Sequence, residues 1–291
     1  MTASGTSGHG AELASYGKLS ELGAVVIKSL SVEPWPGNPA PRLHPLTSPA
    51  AGMINSVGLQ GLGVAHWLSH DLPGLLDSGA TVIASIWGDS IESYRRAAKM
   101  LADAPAVVAA VEVNVSCPNT DDGMRMFAHS STATAAVMEA TADCGRPRWA
   151  KLSPNTADLV AVAQAAVSAG AEALVLTNTL SGIVIDINKR RPVLGAQHGG
   201  VSGAALHPVA VRAVYEVRKA MPVVPIVGVG GVACGADAVE MLLAGASAVQ
   251  VGTAIFADPR APWRVLHELR HWCETKNVEK IDELIGAAHE S

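Results

Sequence analysis

The run Asn114-Val115-Ser116-Cys117-Pro118-Asn119 gathers two carboxamides around a thiol. A carboxamide donates and accepts from one planar group, which suits it to gripping a flat ring edged with N–H and C=O groups. A thiol can serve as a general base where its pKa is lowered or a proton relay is at hand. Taken alone, a cysteine at a strand end is more often inert packing than chemistry. Two lysines, Lys28 and Lys151, each close a short apolar run. A lysine directed into a protein interior is costly unless an anion meets it, so both are candidate binding groups. Three glycine-bearing stretches, GGVSG ending at Gly203, GVGGV with Gly230 and Gly231, and VQVGTA with Gly252 and Thr253, have the composition of a phosphate cradle. Glycine lets backbone N–H groups approach a phosphate closely, and a following helix favours negative charge. Singly, each could equally be a turn. His9, His129, His198 and His207 follow no metal-ligand spacing, so no metal site is expected. The cysteines at 117, 144, 234 and 273 form no CxxC pair, which argues against a disulfide scaffold or an iron–sulfur cluster held by this chain.

These residues need a scaffold. Short β-branched runs at 24–28, 81–86, 108–115, 148–151, 173–177, 224–229 and 248–251 read as seven strands. Helical periodicity lies between them near 90–103, 131–144, 156–169, 207–221, 235–244 and 263–276, as crossover helices of parallel βαβ units require. Residues 10–19 read as a further helix, so an eighth strand is expected ahead of it, with only residues 1–4 to form it. The fold class is therefore α/β, a TIM (β/α)8 barrel forming a single domain over 1–291, with its first strand truncated. A hydrophobic fraction of 49% with only 4% aromatic residues is what strands buried on both faces demand. Regions 29–63, 116–130 and 178–206 are longer than plain connections, and all three follow strands, which puts them on the C-terminal rim where this fold places its active sites. A net charge of −5 without a basic stripe argues against nucleic acid and against an anionic membrane surface. The N-terminus lacks a leader pattern and no apolar run spans a bilayer, so a cytoplasmic protein is expected.

The stretches ASGTSGHG, GNPAPR, GMINSVGLQ, NVSCPN, KLSPN, TNT, GGVSG, GVGGV and VQVGTA follow one another in the order found in dihydroorotate dehydrogenases, and the chain resembles the class 1 enzymes over nearly its whole length. The wording GNPAPR and INSVGLQ is closest to the catalytic subunit of subclass 1B. The resemblance implies an FMN cofactor contacted by Ser4, Lys28, Ser85, Asn114, Lys151, Thr177, Gly203, Gly230, Gly231, Gly252 and Thr253. It implies a substrate site built from Lys28, Asn55, Ser56, Val57, Gly58, Leu59, Asn114, Asn119, Asn178 and Thr179. Cys117 matches the family's base and Lys151 its lysine beside the flavin pyrimidine ring. The implied reaction is oxidation of dihydroorotate to orotate in pyrimidine synthesis, with Cys117 taking a proton from C5 while a hydride leaves C6 for flavin N5. A homodimer and an iron–sulfur, FAD-bearing electron-transfer partner are implied as well. The chain departs from the family pattern at Ser85, Trp87, Ser7, His9 and the NTDDGM loop, which leaves two other readings: an FMN oxidoreductase of another pyrimidine-like substrate, or a flavin-binding protein without activity.

Overall fold

The computed structural model describes residues 1–46, 52–116, 118–119 and 125–289, with only the backbone described at 118, 119, 125 and 126. Seven strands run in parallel and in chain order: β1 (Val25–Val26), β2 (Val82–Ile86), β3 (Val108–Asn114), β4 (Arg148–Leu152), β5 (Ala173–Leu176), β6 (Ile226–Val229) and β7 (Ala248–Gln250). Their order in the sheet is their order in the sequence, as right-handed crossovers between neighbours produce. The first residues of the chain complete the circuit. Val251 N–H donates to the Met1 carbonyl at 2.9 Å, Ala3 N–H to the Val251 carbonyl at 2.8 Å, and Thr2 N–H to the Ala24 carbonyl at 3.2 Å. Residues 1–3 thus bond to β7 on one side and to the β1 segment on the other, and the sheet curls into the expected barrel.

Alternation along the strands sets the character of the interior. In the lower rows Ala24 and Val26, Ile83, Ala110, Val175, Val227 and Val229 pack with Met1, Ala3 and Trp149 in two small apolar clusters. Two residues further along the same strands come Lys28, Ser85, Glu112, Lys151 and Thr177, so the interior turns polar toward the C-terminal mouth. Outside the sheet, the larger core lies against helices that include Ile91–Met100, Ser131–Ala140, Leu159–Ser168, His207–Ala220, Gly235–Ala244 and Ala261–Lys276. Caps set several of their starts: Ser90 accepts from Ser93 N–H at 3.3 Å and Asp158 from Ala161 N–H at 2.9 Å.

Two expectations need correction. The helix expected over 10–19 is instead a pair of 3₁₀ turns, Glu12–Ser15 and Leu19–Glu21. Gly17 interrupts it: the Trp263 indole lies where a Cβ would stand, 2.6 Å away, and its Nε1 donates to the Lys18 carbonyl at 3.0 Å. The long rim regions are also more regular than connections. Leu180–Ile183, His198–Gly203, Gly52–Asn55 and Leu43–Leu46 form, in that spatial order, a four-stranded antiparallel sheet over the mouth. A helical stretch of Gly63–His66, the π turn Trp67–Asp71 and Leu72–Asp77 then crosses back to β2, burying Trp67 completely.

Candidate active site

The C-terminal mouth of the barrel encloses one cavity, roofed by the antiparallel rim sheet. Of the residues expected to contact cofactor or substrate, Ser4, Lys28, Asn55, Val57, Leu59, Asn114, Lys151, Thr177, Asn178, Thr179, Gly230, Gly231, Gly252 and Thr253 line it. Along the loop at 55–59, Asn55, Val57 and Leu59 line the cavity, whereas Ser56 and Gly58 do not. Gly58, with φ of +75°, packs against Asn38, and Ser56 is buried with its N–H on the Arg42 carbonyl at 2.8 Å. Cys117 lies outside the described residues, and the side chain of Asn119 is likewise not described.

Ser85 lies apart from these residues. It is fully buried below the cavity, not in its wall, because its short side chain ends against Ser29, 2.9 Å away, and the Glu112 carboxylate, 3.3 Å away. Gly203 is also outside the wall. Its carbonyl supports the loop carrying Gly231, where a Cβ would come within 2.8 Å of that oxygen and 2.7 Å of the His207 Cβ. With φ of +68°, Gly231 occupies a conformation that suits glycine alone at so close an approach.

The amides are held by one another. Asn114 Nδ2 donates to Ser29 Oγ at 3.3 Å, and its Oδ1 accepts from Ser116 N–H at 3.2 Å and from Asn178 Nδ2 at 3.1 Å. Asn178 Oδ1 in turn accepts from Thr179 N–H at 2.8 Å. A clamp tied in this way keeps its carboxamides in one orientation without help from a ligand. Burial, followed by the neighbouring Arg42 charge, pushes the Lys28 ammonium below the ordinary lysine range. Thr253 Oγ1 donates to Ser202 Oγ at 2.8 Å, and both residues line the cavity together with Gly230, Gly231 and Gly252.

Ser29, Ser116 and Ser202 line the cavity without having been expected to. Ser29, Ser116 and Ser202 each stand directly beside a predicted residue, Lys28, Cys117 and Gly203 respectively, so adjacency was the one available signal. Glu112 was missed entirely. It is fully buried beneath the mouth, within 3.3 Å of Lys151 Nζ.

The donor set fits a flavin mononucleotide. Thr177 Oγ1 and Ser116 Oγ, both on cavity-lining residues, are buried and lack a hydrogen-bond partner among the described residues, as groups reserved for a ligand do. Gly230, Gly231 and Gly252, at the ends of β6 and β7, leave backbone accessible to a phosphate, while Lys151 and the amides face the centre. Strand-end glycines open to a phosphate, with polar groups around the centre of the mouth, are the arrangement of a cofactor-binding barrel enzyme.

The dihydroorotate dehydrogenase family model matches residues 1–272. A protein of Geobacter sp. (strain M21), named dihydroorotate dehydrogenase B (NAD(+)), catalytic subunit, is 44% identical over 288 residues, covering 99% of this chain and 93% of that one. A protein of the same name from Desulforudis audaxviator is 46% identical over 290 residues with the same coverages. The chain belongs to the dihydroorotate dehydrogenase family, and it is a flavin-dependent oxidoreductase of pyrimidine biosynthesis.

Proposed function

We propose that the chain is the FMN-bearing catalytic subunit of a dihydroorotate dehydrogenase that passes electrons to a partner subunit and on to NAD(+). The observation that carries the proposal is a cavity lined both by Lys28, Asn55, Asn114 and Asn178 and by Gly230, Gly231, Gly252 and Thr253. A planar acid with amide edges matches the first group and a terminal phosphate the second. The departures from the family pattern at Ser85 and Trp87 lie outside the cavity wall, Trp87 being packed edge-to-face on Trp35 at 5.3 Å, which favours dihydroorotate over a different ring.

Oxidation of dihydroorotate to orotate removes a proton from C5 and a hydride from C6. When bound, FMN supplies the hydride acceptor at N5. The rest is the work of this chain. Lys28 meets the substrate carboxylate, and the Asn55, Asn114 and Asn178 carboxamides pair with the ring amides and fix its plane. Lys151 opposes negative charge on the pyrimidine side of the cofactor; preorganised charge of this kind is commonly the largest catalytic contribution. Cys117, three residues beyond Asn114 in sequence, is the proposed base that receives the C5 proton. A mononucleotide ends at its phosphate, which accords with a cradle made of strand-end glycines.

The partner is proposed because the relatives are named catalytic subunits of an NAD(+) enzyme. A homodimer of catalytic chains and a cytoplasmic location complete the proposal, the latter in keeping with the free thiols of Cys144, Cys234 and Cys273. No helix among the described residues is long and apolar enough to cross a membrane. Cofactor identity is tested by releasing the bound flavin from purified protein and separating it by chromatography. FMN is expected. FAD, or no flavin after reconstitution, contradicts the proposal.

A further inference from the structure

Glu112 is an anion in the interior of a barrel, fully buried on β3. A carboxylate so placed is retained only when charge and hydrogen bonds meet it from several sides. Three side chains do so here. Lys151 Nζ donates to Oε1 at 3.3 Å, Ser85 Oγ to the same oxygen at 3.3 Å, and Gln250 Nε2 to Oε2 at 3.0 Å. The donors come from β4, β2 and β7, so the carboxylate ties three strands together below the cavity floor.

The strand registers explain the arrangement. Ser85 is the direct register partner of Glu112 across β2 and β3, and Lys151 that of Asn114, two residues further along. Glu112 and Asn114 therefore point to the same side of β3, Glu112 one row deeper. Lys151 lines the cavity, whereas Glu112 does not. Lys151, only 6% exposed, has four rotatable bonds along its stem and needs a fixed partner to hold its ammonium in one place.

We propose that Glu112 is the positioning residue for Lys151: its fixed carboxylate anchors the ammonium at the cavity floor, where it would face the flavin pyrimidine edge. The inference rests on the proposed flavin site and adds to it a residue that touches neither cofactor nor substrate. Ser85, which departs from the family pattern, gains its place here as a second donor to the same carboxylate.

The test uses sulfite, which adds through its lone pair to flavin N5 and leaves the displaced electron pair as negative charge on the pyrimidine side of the ring. Its affinity, read from loss of flavin absorbance, reports positive charge at that edge without turnover. Glu112→Gln is expected to weaken sulfite binding about tenfold, within the range of couplings between contacting residues. In a Lys151→Met background the same change should cost nothing or restore affinity, because the ammonium it serves is gone. Unchanged or tighter sulfite binding in Glu112→Gln overturns the proposal, as does an equal loss in the Lys151→Met background.

Should Glu112→Gln not accumulate as folded protein, thermal melting of Lys151→Met against Lys151→Met/Glu112→Gln decides. Removing the stranded carboxylate should raise the melting temperature of the double variant above that of the single one. An equal or lower value contradicts the pairing. Wild-type protein that binds no flavin would defeat the functional reading instead, and the melting comparison, which needs no flavin, keeps the two failures apart.

Discussion

At the scale of single residues, the chemistry divides between a proton and a charge. Cys117 is proposed to take the C5 proton, so Cys117→Ala should bind FMN and orotate much as wild type does, while flavin reduction by dihydroorotate slows by at least about a hundredfold, the lower range for loss of a general base. Rapid mixing with absorbance detection checks this, and reduction at the wild-type rate would remove Cys117 from the mechanism. Lys28 makes a prediction through pH. Burial and Arg42 lower its pKa, so it gives up its proton at lower pH than a free lysine. Only the charged form attracts the orotate carboxylate. Orotate affinity should therefore hold below the lowered pKa and fall as pH rises through it, before an ordinary lysine would titrate; Lys28→Met should bind weakly and without this fall. Equilibrium titration across the alkaline range measures it, and an alkaline fall that survives in Lys28→Met would assign it elsewhere. Lys28, Lys151 and Asn114 were legible in the sequence because a lysine or carboxamide closing an apolar run has few structural reasons to be there. Glu112 was not legible. Within AAVEVN a lone acid reads as a solvent-facing strand position, and only closure of the barrel reveals that both faces are covered.

At the scale of elements, most of the barrel strands could be found from sequence because they are short apolar runs rich in β-branched residues, a pattern that depends on nothing distant. The rim sheet could not. Its strands GGVSG and GMIN carry little side-chain signal, and their pairing joins Gly200 to Asn55 across most of the barrel sequence. The helix misread over 10–19 failed for a related reason, since the packing of Trp263 against Gly17 is a contact between the two ends of the chain. The loop after β6 carries its own prediction. Gly231→Ala places a Cβ at positive φ and within 2.8 Å of the Gly203 carbonyl, so the loop must move. FMN affinity, measured by fluorescence titration of apoprotein, should weaken about tenfold or more, corresponding to a strain cost of about 1–3 kcal/mol. Wild-type affinity in Gly231→Ala would show that this loop does not hold the phosphate.

At the scale of the whole molecule, the barrel separates tasks by depth. Apolar rows around Trp149 and Met1 close the lower interior, a buried polar layer centred on Glu112 and Lys151 lies above them, and the carboxamides and glycines face the mouth beneath the rim sheet. The groups proposed to hold cofactor and substrate are thereby mounted mainly on strands and strand ends, whose positions the packing fixes. The order of motifs along the chain is the order of strands around the barrel, which is why the family resemblance and the geometry select the same cavity. The central claim is that this cavity oxidises dihydroorotate at a bound FMN, and anaerobic mixing of the purified protein with dihydroorotate tests it most directly. Loss of the oxidised flavin absorbance together with formation of one equivalent of orotate per flavin is the predicted result; a bound flavin that stays oxidised in the presence of saturating dihydroorotate would contradict it.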